Sequence, residues 1–118
     1  MKFLSKEDII GIKDCVLIPF EVKEWGASIY IKKLSGAEFD VFTAATDMKA
    51  DASAGNIAKM KLTLLGLSMC DGDGKRLFSD DELDILNEKS NDALMCIFQE
   101  TQKINFTSLE KVEQAEKN

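Results

Sequence analysis

At 118 residues, 45% of them apolar, the chain is the size of one ordinary domain and carries enough apolar side chains for a real core. A net charge of −6 and a single arginine, Arg76, argue against a phosphate-binding face, so nucleic acid is not an expected partner. No apolar run approaches the roughly 18 residues of a membrane span, and the opening residues lead into acidic ones rather than a secretory apolar region, so a soluble, unexported protein is expected.

From Ser5 to Gly11 the pattern predicts one or two turns of helix, capped by Ser5 and stopped by the glycine. Residues 15–22 are rich in β-branched and aromatic side chains, residues 28–33 alternate, and 23–27 lie between them, which predicts a β-hairpin with Trp25 at its tip. Pro19 cannot donate to a ladder, so its strand either lies at an edge or is interrupted there. Leu34, Ser35, Glu38 and Phe39 then form a capping box with its hydrophobic staple. The helix they start carries Val41, Phe42, Ala45 and Met48 on one stripe and is expected to fade near 50–54.

The centre of the chain is the stretch Ile57 to Cys70, entered through Ser53 to Asn56 and left through Asp71-Gly72-Asp73-Gly74. Its second half is apolar almost all the way round, which predicts a buried core helix followed by a sharp turn. Phe78, Ser79, Glu82 and Leu83 repeat the box and staple, and Leu83 and Leu86 supply the apolar side of the helix that follows. The run Glu88-Lys89-Ser90-Asn91-Asp92 offers a further cap to a long helix with Leu94, Ile97, Phe98, Thr101 and Ile104 or Asn105 at spacings of three and four. After Phe106 only Leu109 and Val112 are apolar anchors, so residues 1–106 are expected to form one domain and 107–118 a frayed or partner-dependent tail. The fold class is α+β, mostly α: a small hairpin near the N-terminus, then a bundle of four to five helices. Its core should set Leu64, Leu65 and Leu67 against Phe42, Leu86, Leu94, Ile97 and Phe98.

Catalytic chemistry finds little purchase. Histidine is absent, which removes the commonest general base and metal ligand. Cys15, Cys70 and Cys96 are odd in number, far apart and set in apolar stretches, which predicts buried, reduced thiols of a cytosolic protein rather than nucleophiles or metal ligands. Asp71, Asp73 and Glu82 occupy the first, third and twelfth places of a calcium loop, but Lys75 stands at the fifth and Arg76 at the sixth, where an oxygen ligand and a glycine are needed. A plain turn followed by a capping box accounts for the same residues. No enzyme, cofactor or metal is therefore expected. Trp25 reads equally as a lid folded onto the helices and as a partner contact.

Several segments together resemble the tail assembly chaperones of long-tailed, non-contractile bacteriophages. They are Glu24-Trp25-Gly26; Ile29 to Glu38 (IYIKKLSGAE); Leu67-Ser68 ahead of Asp71 to Ser79 (DGDGKRLFS); and Leu86 to Ser90 (LNEKS). The likeness runs from about Ser5 to Phe106, and the order and spacing of the segments carry it. Before Trp25 the chain has Phe20-Glu21-Val22-Lys23, where a proline often precedes the glutamate in that family. The resemblance implies a non-enzymatic protein of the bacterial host's cytoplasm that binds the tape measure protein and the major tail tube protein during assembly and is absent from the virion. Self-association is compatible with it. It also implies a longer product made by ribosomal frameshifting near Lys117-Asn118, this chain matching the short form, whether from a phage or a prophage. The residues expected to contact partners are Trp25, Tyr30, Leu109 and Val112. The alternative is a small helical adaptor that binds another cytosolic protein.

Overall fold

The computed structural model describes residues 2–46 and 54–117, with 54, 56 and 107–117 described by backbone alone. Its elements are α1 (Lys6–Ile10), β1 (Leu17–Val22), β2 (Ala27–Lys32), α2 (Gly36–Ala45), α3 (Ala54–Ser68), β3 (Met69–Cys70), α4 (Leu83–Leu86) and α5 (Asn91–Lys117), with 3-10 turns at Lys23–Trp25 and Asp80–Glu82. The class is α+β, mostly α, as expected. One helix precedes the hairpin and the sheet gains a third strand.

The sheet is antiparallel in the order β1-β2-β3. Ile18 faces Ile31 and Phe20 faces Ile29, so strand alternation turns one apolar row onto the helices. Lys33 N–H donates to the Val16 carbonyl at 3.0 Å. Every second pair is bonded in such a ladder, which leaves Pro19 opposite Tyr30 in a pair without mutual bonds. The missing N–H of Pro19 therefore points to the outer side of an edge strand, where it costs no ladder bond and discourages strand addition. Gly26, at φ +62°, makes the turn.

The central helix departs from expectation at both ends. It begins at Ala54, three residues before Ile57, and the run from Leu64 to Cys70 is buried throughout. Helix ends at Ser68, however, and Met69 and Cys70 pair with Ile31 and Tyr30 as β3. An all-apolar run suits a buried helix and a buried strand equally, and the open edge of β2 decides between them. Ser68 closes the helix by donating to the Leu64 carbonyl at 2.7 Å, and its hydroxyl meets that of Thr101 at 3.2 Å. Gly66 lets α4 approach closely: a Cβ there would come within 2.5 Å of a Leu83 methyl. Arg76 donates to the Gly66 carbonyl at 2.7 Å and pairs with Asp80 at 2.9 Å, tying the loop after β3 to α3.

Two apolar clusters result. One joins Val22, Ile31, Leu65, Met69, Leu86, Ala93, Leu94 and Ile97; the other joins Phe42, Leu64 and Leu67. Phe98 is half-buried and packs against both, so it bridges them. The expected core residues are all present, with Met69 and the sheet's Val22 and Ile31 added. Val41, expected on the buried stripe of α2, is 52% exposed, because Phe39, Phe42 and Thr46 define the packed face and position 41 falls beside it. Met48 and Ser53 lie outside the described residues.

α2 and α5 are held by an aromatic and a polar clasp. Phe39, Phe42 and Phe106 form a triad with ring centroids 5.8, 5.9 and 6.2 Å apart. Beside it, Asn105 accepts from Leu34 N–H at 2.8 Å, and its amide donates to the Thr101 and Lys32 carbonyls at 3.1 and 3.5 Å. One side chain thus satisfies backbone groups that the end of β2 leaves open.

Candidate partner-binding surface

The hairpin tip is fastened to the start of α5. Ser90 caps that helix by accepting from Ala93 N–H at 3.1 Å, and its hydroxyl donates to the Glu24 carboxylate. This bond holds Trp25 over the body of the protein, where the indole remains 37% exposed. Beneath it opens a groove of about 320 Å³, walled by Trp25, Ile29, Met69, Leu77, Phe78 and Leu86 and edged by Lys89. The tip folds back onto the body, as the lid reading of Trp25 has it, yet the ring covers an apolar hollow instead of filling one.

The groove owes its shape to the box at Ser79. The Ser79 amide and hydroxyl both donate to the Glu82 carboxylate, at 2.9 and 3.0 Å, which starts the 3-10 turn and then the single turn of α4. Those bonds, the amide's first, hold the Glu82 carboxyl below its ordinary range. α4 in turn lays Leu86 at the groove floor and sends Ile85 outward, 54% exposed. Leu77, 41% exposed, escaped the sequence reading. Its signal was the pair Leu77-Phe78 ahead of a cap, since a staple uses only the second of them.

Tyr30 does not join this surface. It is 39% exposed, and alternation along β2 turns it to the face opposite Ile29. The side chains of Leu109 and Val112 lie outside the described residues; of the two expected contact residues that are described in full, Trp25 borders the groove and Tyr30 does not.

The remaining chemical candidates resolve into structure. Asp71 takes the N–H groups of Asp73 and Lys75 on one carboxylate oxygen, at 2.8 and 3.0 Å, and Gly74 turns at φ +82°. The Lys75 amide, then that of Asp73, hold the Asp71 carboxyl below its ordinary range, as expected of a turn-forming aspartate. Of the thiols only Cys70 is buried; burial raises its pKa, and it contacts the Tyr30 carbonyl at 3.6 Å. Cys15 and Cys96 are exposed, against expectation. Cys15 lies in the connector before β1, and Cys96 borders a second hollow with Phe20, Val22 and Ala93, beside the helix face that Ala93 and Ile97 bury. Among the described residues no helix is long and apolar enough to cross a membrane.

No protein-family model and no curated protein matches the chain. Among solved structures, the tail assembly chaperone of bacteriophage HK97 superposes on 75% of this chain and 84% of its own, with a TM-score of 0.56 and 18% identity. The chain has the fold of a tail assembly chaperone. At that identity the likeness speaks for the architecture, the sheet and the helices that close over it, and the side chains of the groove have to be argued from this chain alone.

Proposed function

We propose that the protein is a non-enzymatic tail assembly chaperone of a long-tailed phage or prophage, acting in the cytoplasm of the bacterial host. Its clients are the tape measure protein and the major tail tube protein, and it is absent from the finished virion. The observation that carries this reading is the shared fold, which spans most of both chains. It agrees with the ordered segments from Ser5 to Phe106 that resemble the family. Trp25 is the contact residue this reading favours, being an exposed aromatic held in place by Glu24 and Ser90. Leu109 and Val112 belong to the same proposal as anchors of residues 107–118, with a frameshifted longer product extending that end.

The test is co-purification of the chain with a tape measure protein and a major tail tube protein from the same phage or prophage genome. Retention of the tape measure protein in soluble form, and its loss on Trp25→Ala with the melting temperature unchanged, is the expected result. Failure to retain either tail protein would overturn the proposal and leave the adaptor reading.

A further inference from the structure

The groove under Trp25 has apolar walls, and Lys89 is the one charged residue among the described residues that line it. The turn after α4 sets that lysine in place: Glu88 N–H donates to the Ile85 carbonyl at 3.2 Å and Lys89 N–H to the Leu86 carbonyl at 3.1 Å. Lys89 thus stands between Leu86, on the groove floor, and Ser90, whose hydroxyl is taken by the Glu24 carboxylate. Among the described residues its ammonium enters neither ion pair, Lys32 with Glu38 or Arg76 with Asp80, and makes no hydrogen bond. A bare apolar hollow accepts any apolar side chain. One with an unpaired cation at its edge and no carboxylate in its lining favours aspartate or glutamate beside the anchor and disfavours lysine or arginine there. At about 320 Å³ the groove takes one or two large side chains rather than a folded surface.

We infer that the groove between the Trp25 turn and α4 binds a segment of a client protein that presents one or two large apolar side chains with an aspartate or glutamate next to them. This deepens the client-binding reading above and rests on it for the existence of a client; the client's chemistry comes from the groove. The apolar anchor enters beside Leu77 and Phe78 and supplies the affinity. Its acidic neighbour meets the Lys89 ammonium and supplies the choice, since one exposed ion pair adds little binding on its own. The chain as a whole carries a net charge of −6, which by itself draws basic segments and repels acidic ones. A preference for an acidic flank therefore reports the groove and runs against the general field.

Trp25 is the sole tryptophan, so its emission reports occupancy of the groove directly. The probes are short synthetic peptides with blocked ends and no tryptophan, carrying leucine and phenylalanine at the centre and flanked by glutamate, glutamine or lysine. A fourth peptide keeps the glutamates and has serine at the centre. The expected result is a blue shift whose affinity falls in the order glutamate, glutamine, lysine, by about fivefold from first to last, the scale of one exposed ion pair. The serine peptide should give no shift. Lys89→Glu, at a side chain that makes no bond within the described fold, should reverse the order with the melting temperature unchanged. Leu77→Ser, at a position 41% exposed, should weaken all three apolar peptides alike. Absence of a shift with every peptide, equal or tighter binding of the lysine peptide by the unaltered chain, binding of the serine peptide, or an order that Lys89→Glu leaves intact overturns the inference. So do tail proteins that co-purify undiminished with a chain carrying both Leu77→Ser and Lys89→Glu, a result that leaves the chaperone reading standing. An unaltered chain that retains neither tail protein yet ranks the glutamate peptide first would instead sink the chaperone reading and uphold the groove's preference.

Discussion

The two ends of the molecule begin with the same sequence device and finish differently. At one end Ser35 and Glu38 start α2, at the other Ser79 and Glu82 start the turn into α4, and in both the glutamate returns to the serine amide, at 3.0 and 2.9 Å. Around Ser35 everything closes: Lys32 pairs with Glu38 at 2.8 Å, Asn105 takes up the amide of Leu34, and Phe106 fills the space against Phe39 and Phe42. Around Ser79 the box stays exposed, and the apolar wall it leads to stops short of Trp25 and leaves a groove. Local capping chemistry sets where a helix starts. Whether the surface beside it is filled depends on what another element brings: α5 brings Phe106 and Asn105 to one end, while at the other its Ala93, Leu94 and Ile97 pack in the cluster beneath Leu86 and Met69 and do not line the groove itself.

The largest expected difference between the ends lies in their aromatic and aliphatic contacts. Phe42→Ala should cost about 3 to 5 kcal/mol in urea unfolding, since the ring is buried within the triad. Leu77→Ala should cost under about 1 kcal/mol, because the side chain is already 41% exposed. Comparable losses would mean that the groove is part of the core and the contrast is false.

Next in size is the polar clasp. Asn105→Ala leaves the Leu34 amide without its partner, which should cost about 1 to 3 kcal/mol. Asn105→Asp keeps the acceptor and should recover part of that loss. If the aspartate variant were no more stable than the alanine one, the Leu34 bond would not be the source.

Smaller still are the caps. Ser35→Ala should lower stability by about 1 kcal/mol, and Ser79→Ala by only a few tenths, because the second hydroxyl serves an exposed carboxylate. Reversal of that order would mean that burial does not strengthen a cap here.

Acid titration sharpens the same point. Partial burial works to raise the Glu38 carboxyl, but the bond from Lys32 and those from Ser35 together outweigh it and hold it below its ordinary 4.5. A carboxyl lowered in the folded state stabilises the fold above its unfolded pKa, and that contribution disappears as the pH falls through the folded value. Stability of the unaltered chain should therefore drop below about pH 4.5, and Glu38→Gln and Glu82→Gln, whose carboxyls are both held low, should each flatten that drop, as read from melting temperature against pH. A profile unchanged by either variant would mean that its box does not hold the carboxylate in solution.

Helix starts were legible in the sequence because their physics is local. Ser5, Ser35, Ser79 and Ser90 each act on groups within three residues, and the stripe of Leu94, Ile97 and Thr101 follows from the helical period of a single element. Met69 and Cys70 were not legible as a strand, since an apolar run satisfies a buried helix equally well and only the open edge of β2 settles the matter. Nor could the exposure of Cys96 be read, for apolar neighbours in sequence do not say which side of α5 meets the sheet. The Asn105 clasp spans 71 residues and the Glu24–Ser90 bond 66, and no periodicity announces a pairing at such a distance. The candidate site belongs to this second kind. Trp25 stood out as a solitary aromatic in a turn, but the groove beneath it exists only because β2, β3, the Leu77-Phe78 pair and α4 converge there without a side chain large enough to close it.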